Sequence, residues 1–142
     1  MKVDPSEVVR RFWESVWTEG KADLLSEIFD PDIRENGEAV DVENFKRAVT
    51  SWRRVFPDFT ATIEELIPAG QDRVVSRVTY RGRQTLPWAG LPATGRTFKV
   101  VGIDIFRVRD GRVVELWHSV DHYDMAAQLG AKLVPADSAA EN

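Results

Sequence analysis

The chain has two histidines, His118 and His122, and both fall in the stretch ELWHSVDHYD with Asp121 and Asp124 beside them. Four titratable groups so close together could form an acid/base site, a metal site, or a strand end followed by a capped helix. On a helix, His118 and His122 would share one face, as zinc ligands do. Glu115 to Val120 reads instead as a strand, which sets the two rings too far apart for one ion without a bend. The glutamate of an H-E-x-x-H motif is also missing, so no metal and no cofactor are expected. Asp104 is a lone acid in the apolar run VVGIDIFRV, and a buried carboxylate needs a partner.

The partner of Asp104 depends on how the strands around Asp110-Gly111 pair, because that dipeptide is the strongest hairpin signal in the chain. A two-residue turn sets Asp104 opposite Trp117 and puts Asp104, Trp117 and Asp121 on one face. A three-residue turn with a glycine bulge sets Asp104 opposite Leu116, and Asp104 then shares a face with His118. The sequence leaves both open. His122, at the strand exit, is expected at the surface.

The elements that must hold these groups can be read along the chain. Asp4, Pro5 and Glu7 have the pattern of a helix start with a capping box. Val8, Val9, Phe12, Trp13, Val16 and Trp17 then form a broad apolar stripe, ended at Gly20. ADLLSEIF is a short second helix closed by Asp30-Pro31, and DIRENGEA is polar and extended. Asp41 caps a third helix carrying Phe45, Val49, Trp52 and Phe56 on one face. From Phe59 onward the period changes to two. Phe59, Ala61 and Ile63 alternate in the first strand; Val74, Val78, Tyr80 and Leu86 oppose Arg77, Thr79, Arg81 and Arg83 in the next. PWAGLPATG is a turn-rich loop without the lysine or context of a phosphate cradle. Asp124 is the expected cap of a last short helix ending at Gly130. Helices first and strands second predict an α+β fold, with three N-terminal helices packed on a curved, mostly antiparallel sheet.

Composition narrows the function. The 142 residues suit one domain, residues 1–133, with 134–142 as a flexible tail. A net charge of −4 opposes nucleic-acid binding. The absence of cysteine excludes disulfides and thiol chemistry. The N-terminus lacks an apolar signal core, and no apolar run reaches membrane-spanning length, so a cytoplasmic protein without membrane contact is expected. Five tryptophans and seven phenylalanines imply a wide aromatic core or a ring-lined cavity.

The segments VVRRFWESVWTEG, GLPATGRTFKVVGIDIFRVRDGRVVELWH and VDHYDMAAQLG, in this order, resemble the SnoaL-like polyketide cyclases. These share the cone-shaped nuclear-transport-factor-like, ketosteroid-isomerase-like fold. The likeness runs from about Val8 to Gly130. The stretch between the second and third helices is shorter than the proline-rich loop of many members. The resemblance implies a cofactor-independent intramolecular aldol closure of a small, hydrophobic poly-carbonyl compound, with one aspartate as general acid and base. The matching position is Asp121, four residues after Trp117. His118 and Asp104 are candidates to polarise a substrate carbonyl, and Phe12, Trp13, Trp52 and Trp117 to line the pocket. Hydration, epoxide opening or isomerisation on the same scaffold, or non-catalytic ligand binding, are the alternatives. Both faces of the last hairpin are apolar, so one should carry a partner surface formed from some of Val101, Ile103, Ile105, Val114 and Leu116. A homodimer or homotetramer is expected.

Overall fold

The computed structural model describes residues 3–137; the end of the expected tail, residues 138–142, lies outside them. Helix α1 (Pro5–Arg11) starts where Asp4 accepts a hydrogen bond from the Ser6 amide. The expected capping box does not close, because the Glu7 side chain bonds Arg10 instead. The helix runs directly into a π-helical segment, Phe12–Thr18, with amide bonds reaching five residues back (Glu19 to Glu14) and more. Gly20, at φ +78°, ends it in the left-handed region. A 3₁₀ turn (Ala22–Leu24) leads into the short α2 (Leu25–Ile28). Helix α3 (Val42–Val55) is capped by Asp41, whose side chain accepts from the Asn44 amide.

The strands are β1 (Phe29–Glu35), β2 (Glu38–Ala39), β3 (Thr60–Ala69), β4 (Arg73–Arg83), β5 (Thr97–Arg109) and β6 (Arg112–Val120), with α4 (His122–Gln128) last. They form one six-stranded sheet in the order β2-β1-β6-β5-β4-β3. β1 pairs parallel with β6, and the other pairs are antiparallel. The sheet is therefore mixed and open rather than closed into a barrel. The helices cover one face. Leu86, expected on the buried side of β4, lies beyond the strand end and is 46% exposed. Among the described residues, no helix is long and apolar enough to cross a membrane.

Aromatic rings fill the space between helices and sheet. Phe12 packs edge-on to Trp13 at 4.8 Å and to Phe106 at 5.5 Å between ring centroids. Phe29 meets Phe45 at 5.0 Å, and Trp52 meets Phe56 at 4.7 Å. Burying a ring such as Phe12 contributes about 1.5–3 kcal/mol, so helices and sheet are held together chiefly through these contacts.

The β5–β6 hairpin resolves the question of register by a third route. Asp110 and Gly111 have φ of +51° and +76°, as a tight two-residue hairpin turn requires. Arg109 pairs with Arg112, but the register shifts between Arg107 and Val108, so that Arg107 faces Glu115 and Val108 faces Val113. Val114 is the extra residue of this bulge. Beyond it Asp104 stands directly opposite His118, and Ile105 opposite Trp117. The bulge turns His118 inward and Trp117 outward.

Candidate active site

A cavity of about 300 Å³ opens between the helices and the inner face of the sheet. Helix residues supply Phe12, Trp13, Trp17, Phe45, Ala48 and Trp52 to its wall; Phe59, Tyr80 and Leu116 come from the sheet side. Against these surfaces stand two carboxyl and two imidazole side chains: Glu35, Asp104, His118 and His122.

Asp104 and His118 form a pair. The carboxyl oxygens of Asp104 lie 2.9 and 3.0 Å from His118 Nδ1. Asp104 is 1% exposed, so its partner meets the requirement for burying a carboxylate. With Nδ1–H donating to Asp104, the imidazole is held in one orientation and Nε2 is left for other contacts. Burial pushes the Asp104 carboxyl up, while the His118 bond and charge and a backbone bond from Ser119 oppose it. For His118, burial pulls down, but the bond to Asp104 and the charges of Asp104 and Glu35 outweigh it and raise the ring above its ordinary value. The charged imidazolium is thereby favoured.

Glu35 reaches the cavity from the end of β1. It pairs with Leu116 across the parallel β1–β6 contact and with Glu38 across the β1–β2 turn. That turn is Asn36-Gly37, at φ +51° and +85°. Asn36 fastens it to β6 by accepting from the His118 amide at 2.8 Å and donating to the His118 carbonyl at 3.4 Å. Glu35 is thus positioned through the backbone of His118 itself. Burial among the rings raises its carboxyl above the usual carboxylate range; His118 opposes this and Asp104 adds to it. Tyr80 completes the polar edge. Burial, then the charges of Asp104 and Glu35, push its hydroxyl far up, so it keeps its proton. Gly102 makes room for it: a Cβ there would stand 3.0 Å from the Tyr80 hydroxyl and 3.3 Å from the Ser119 carbonyl.

Three indoles line the same cavity, and their N–H groups differ. Trp13 Nε1 donates to Ser76 Oγ at 3.1 Å. The Nε1 atoms of Trp17 and Trp52 are buried without a hydrogen-bond partner, a state that costs about 1–3 kcal/mol per group.

Phe12, Trp13 and Trp52 line the cavity as the sequence predicts, and Asp104 and His118 meet there. Three expectations need correction. Trp117 is 48% exposed on the outer face and lines no part of the cavity, because the bulge at Val114 reverses its side. Asp121 stands outside the cavity as the exposed cap of α4, accepting from the Asp124 amide at 2.8 Å. Asp124, expected as the cap, sits in the first turn and bonds Gln128. His122 is exposed, as expected, and also borders the cavity; partial burial lowers its ring, helped by the charge of His118. Asp104 and Asp121 do not meet in the cavity, so they cannot hold a water together for hydration. Glu35 was missed; the turn dipeptide Asn36-Gly37 directly after it was the available signal. Among the described residues, no group of three or more histidine, aspartate or glutamate side chains is arranged to hold a metal ion.

The assignment of Asp121 as a cap has a direct consequence. Asp121→Ala should cost about 1 kcal/mol of stability, while Asp121→Asn, which also caps well, should melt near the wild type. Neither should lose much turnover. Thermal melts and rates measured together on both variants check this, and an inactive but stable Asp121→Asn would return the catalytic role to that residue.

The profile of the SnoaL-like polyketide cyclases matches residues 7–129. IdmH from Streptomyces antibioticus is 31% identical and superposes with a TM-score of 0.79, over 91% of this chain and 100% of that one. TsrD from Streptomyces laurentii is 33% identical, also at 0.79, covering 89% of this chain and 94% of its own. A SnoaL-like polyketide cyclase from Agrobacterium tumefaciens shares the fold at 16% identity, with a TM-score of 0.76 over 90% of this chain and 99% of that one. No curated protein sequence matches significantly. With the profile covering most of the chain, two relatives above 30% identity and an open cone of helices on a mixed sheet, the chain belongs to the SnoaL-like polyketide cyclase family.

Proposed function

We propose that this protein catalyses a cofactor-independent, aldol-type ring closure of a small poly-carbonyl compound, with Glu35 as base and His118 as acid. The observation that carries the reading is the Asp104–His118 pair beside Glu35 in a ring-lined cavity. An aldol base must take a proton from a carbon flanked by carbonyls, and an exposed carboxylate is too weak a base for that. Burial strengthens Glu35. Its carboxylate removes the proton, leaving an enolate. The enolate carbon attacks a second carbonyl of the same chain, and that carbonyl oxygen becomes an alkoxide. His118, held protonated by Asp104, stabilises the developing negative charge and gives its proton to the alkoxide. Glu35 then loses its proton to solvent as His118 regains one, so the cycle consumes nothing. Asp104 acts as a positioning residue. The ring walls fold the flexible substrate so that its two reacting carbons meet.

Two carboxyl and two imidazole groups at one cavity support catalysis over simple carriage of a ligand. The partial reaction is measurable without the natural substrate. With 2-tetralone in D₂O, the protein should accelerate loss of the α-proton signals in the NMR spectrum. No acceleration over buffer, with 2-tetralone shown to bind, would refute the acid/base reading.

We also propose self-association through the outer sheet face. Val101, Ile103 and Ile105 are 43%, 52% and 42% exposed there, beside Trp117 at 48%; Leu116 is buried and takes no part. A contiguous apolar patch of this kind fits a second copy of itself. The wild type should sediment as a dimer or tetramer, and Ile103→Asp should shift it toward the monomer. A monomeric wild type at micromolar concentration would disprove this.

A further inference from the structure

An aldol closure develops negative charge on two oxygens. One is the enolate oxygen left when the base takes its proton; the other is the acceptor carbonyl oxygen that meets His118. The enolate oxygen needs a donor of its own, and the inner face of the sheet carries one. Tyr80 is 6% exposed and lines the cavity. Among the described residues its hydroxyl bonds no protein group, yet it is not sealed from solvent as the unpaired indole nitrogens of Trp17 and Trp52 are. Its oxygen therefore keeps accessible surface, and the cavity is the open space that Tyr80 borders. The surrounding residues hold it there. Tyr80 pairs with Val100 but reaches along β5 to Gly102, the next inward position, where a Cβ would stand 3.0 Å from the hydroxyl. Asp104, which holds His118, is the inward position after that. The Tyr80 ring lies 5.6 Å from Trp13 and 5.7 Å from Phe59 between centroids, and Trp13 is itself fixed by its bond to buried Ser76.

We propose that Tyr80 is a further catalytic residue, whose hydroxyl donates a hydrogen bond to the enolate oxygen of the substrate while His118 serves the acceptor carbonyl. The inference rests on the aldol chemistry proposed for this cavity. No proton leaves Tyr80. Burial and the charges of Asp104 and Glu35 keep the hydroxyl neutral, so it remains a donor at any pH where Glu35 acts as base. Its hydrogen bond strengthens as the carbonyl becomes an enolate, so it lowers the barrier more than it tightens ground-state binding. Tyr80 on β4 and His118 on β6 flank β5, and this tells the two reacting carbonyls apart. The one that enolises turns its oxygen toward β4, and the one that is attacked turns its oxygen toward β6. The substrate is thereby narrowed to skeletons that present both oxygens to the sheet and their hydrocarbon to the rings of the helices.

The test reads α-proton exchange of 2-tetralone and, separately, the binding of 2-naphthol, which places a hydroxyl oxygen where the enolate of 2-tetralone carries its own. Tyr80→Phe keeps the ring and strands no partner, so it should melt near the wild type. Its kcat for exchange should fall by about 10²-fold, the lower end of what losing one oxyanion donor costs, with KM little changed. A tyrosine that only packs would leave kcat intact in this variant. For the binding arm, Glu35→Gln imitates the protonated base of the enolate state. In that background, equilibrium dialysis should show 2-naphthol held more tightly than naphthalene, which has the same skeleton without the oxygen. Adding Tyr80→Phe should cut that preference by about three- to tenfold and leave naphthalene binding as it was. Two results would overturn the proposal. One is an unchanged kcat in Tyr80→Phe. The other is a preference for 2-naphthol that is absent, or that survives removal of the hydroxyl. The base and the donor fail separately. Wild-type exchange in Glu35→Gln would sink the base, while a preference lost with Tyr80 would keep the donor. Slow exchange in Glu35→Gln beside a fully active Tyr80→Phe would keep the base and sink the donor.

Discussion

Glu35→Gln should slow α-proton exchange of 2-tetralone by about two to four orders of magnitude, the span that general acid/base catalysis supplies. Glutamine keeps the shape and the capacity to accept a hydrogen bond but cannot take the proton. Folding should not suffer, because burial already penalises the ionised carboxyl and the substitution removes that penalty. The melting temperature should hold or rise while the rate collapses. The pH profile adds a signature that structural damage would not produce. Wild-type activity should fall as the pH drops through the raised Glu35 value, where the base becomes protonated, and Glu35→Gln should lose that acid limb. A fully active Glu35→Gln would end the assignment of this residue as base.

His118→Ala should lower turnover by about 10²–10³-fold, the typical loss on removing one group that stabilises a developing oxyanion. It also strands Asp104, which is 1% exposed. Breaking a buried pair from one side destabilises by about 3–5 kcal/mol at most, with protonation of the carboxyl easing the loss. The double variant Asp104→Asn/His118→Ala removes the stranded charge. It should recover much of the stability and none of the turnover, which separates folding from catalysis. The sign of the alkaline limb follows from the same pair. His118 must be protonated to act, so activity is lost as the pH rises through its raised value. Asp104→Asn withdraws the strongest force holding that proton and leaves the burial that expels it, so the alkaline limb should move to lower pH. An unmoved limb would mean that Asp104 does not tune His118.

The elements of this fold were legible because their signals are local. Asp4 and Asp41 cap where their spacing to the apolar stripes says they should, and Asp110-Gly111 makes the tight turn its sequence demands. The site was less legible because it depends on pairings between distant segments. A bulge at Val114 is invisible in RVVELWHSV, where three successive apolar or long side chains fit either face. One extra residue nonetheless reverses every side chain after it, which put Trp117 outside the cavity it was expected to line and left His118 inside. Asp121 and Asp124 are three residues apart and either could start the last helix; one turn of ambiguity decided which was judged catalytic. Glu35 lies in a short polar strand with no apolar alternation to orient it. Its place in the cavity comes from β1 joining β6 in parallel and from Asn36 binding the His118 backbone.

The π-helical segment Phe12–Thr18 sets a limit on the length of the chain as well as on its composition. In an α-helix, residues five apart point to different sides. The wider winding brings them toward one side, which is how Phe12 and Trp17 come to lie 6.5 Å apart against the same cavity. A π-helical turn holds more residues than the α-helical turn it replaces. Losing a single residue here would let the segment rewind as ordinary helix and swing Trp17 away from the cavity, with no residue of the site itself changed. Relatives that bind the same class of compound should therefore tolerate many substitutions between Phe12 and Thr18 and almost no insertions or deletions.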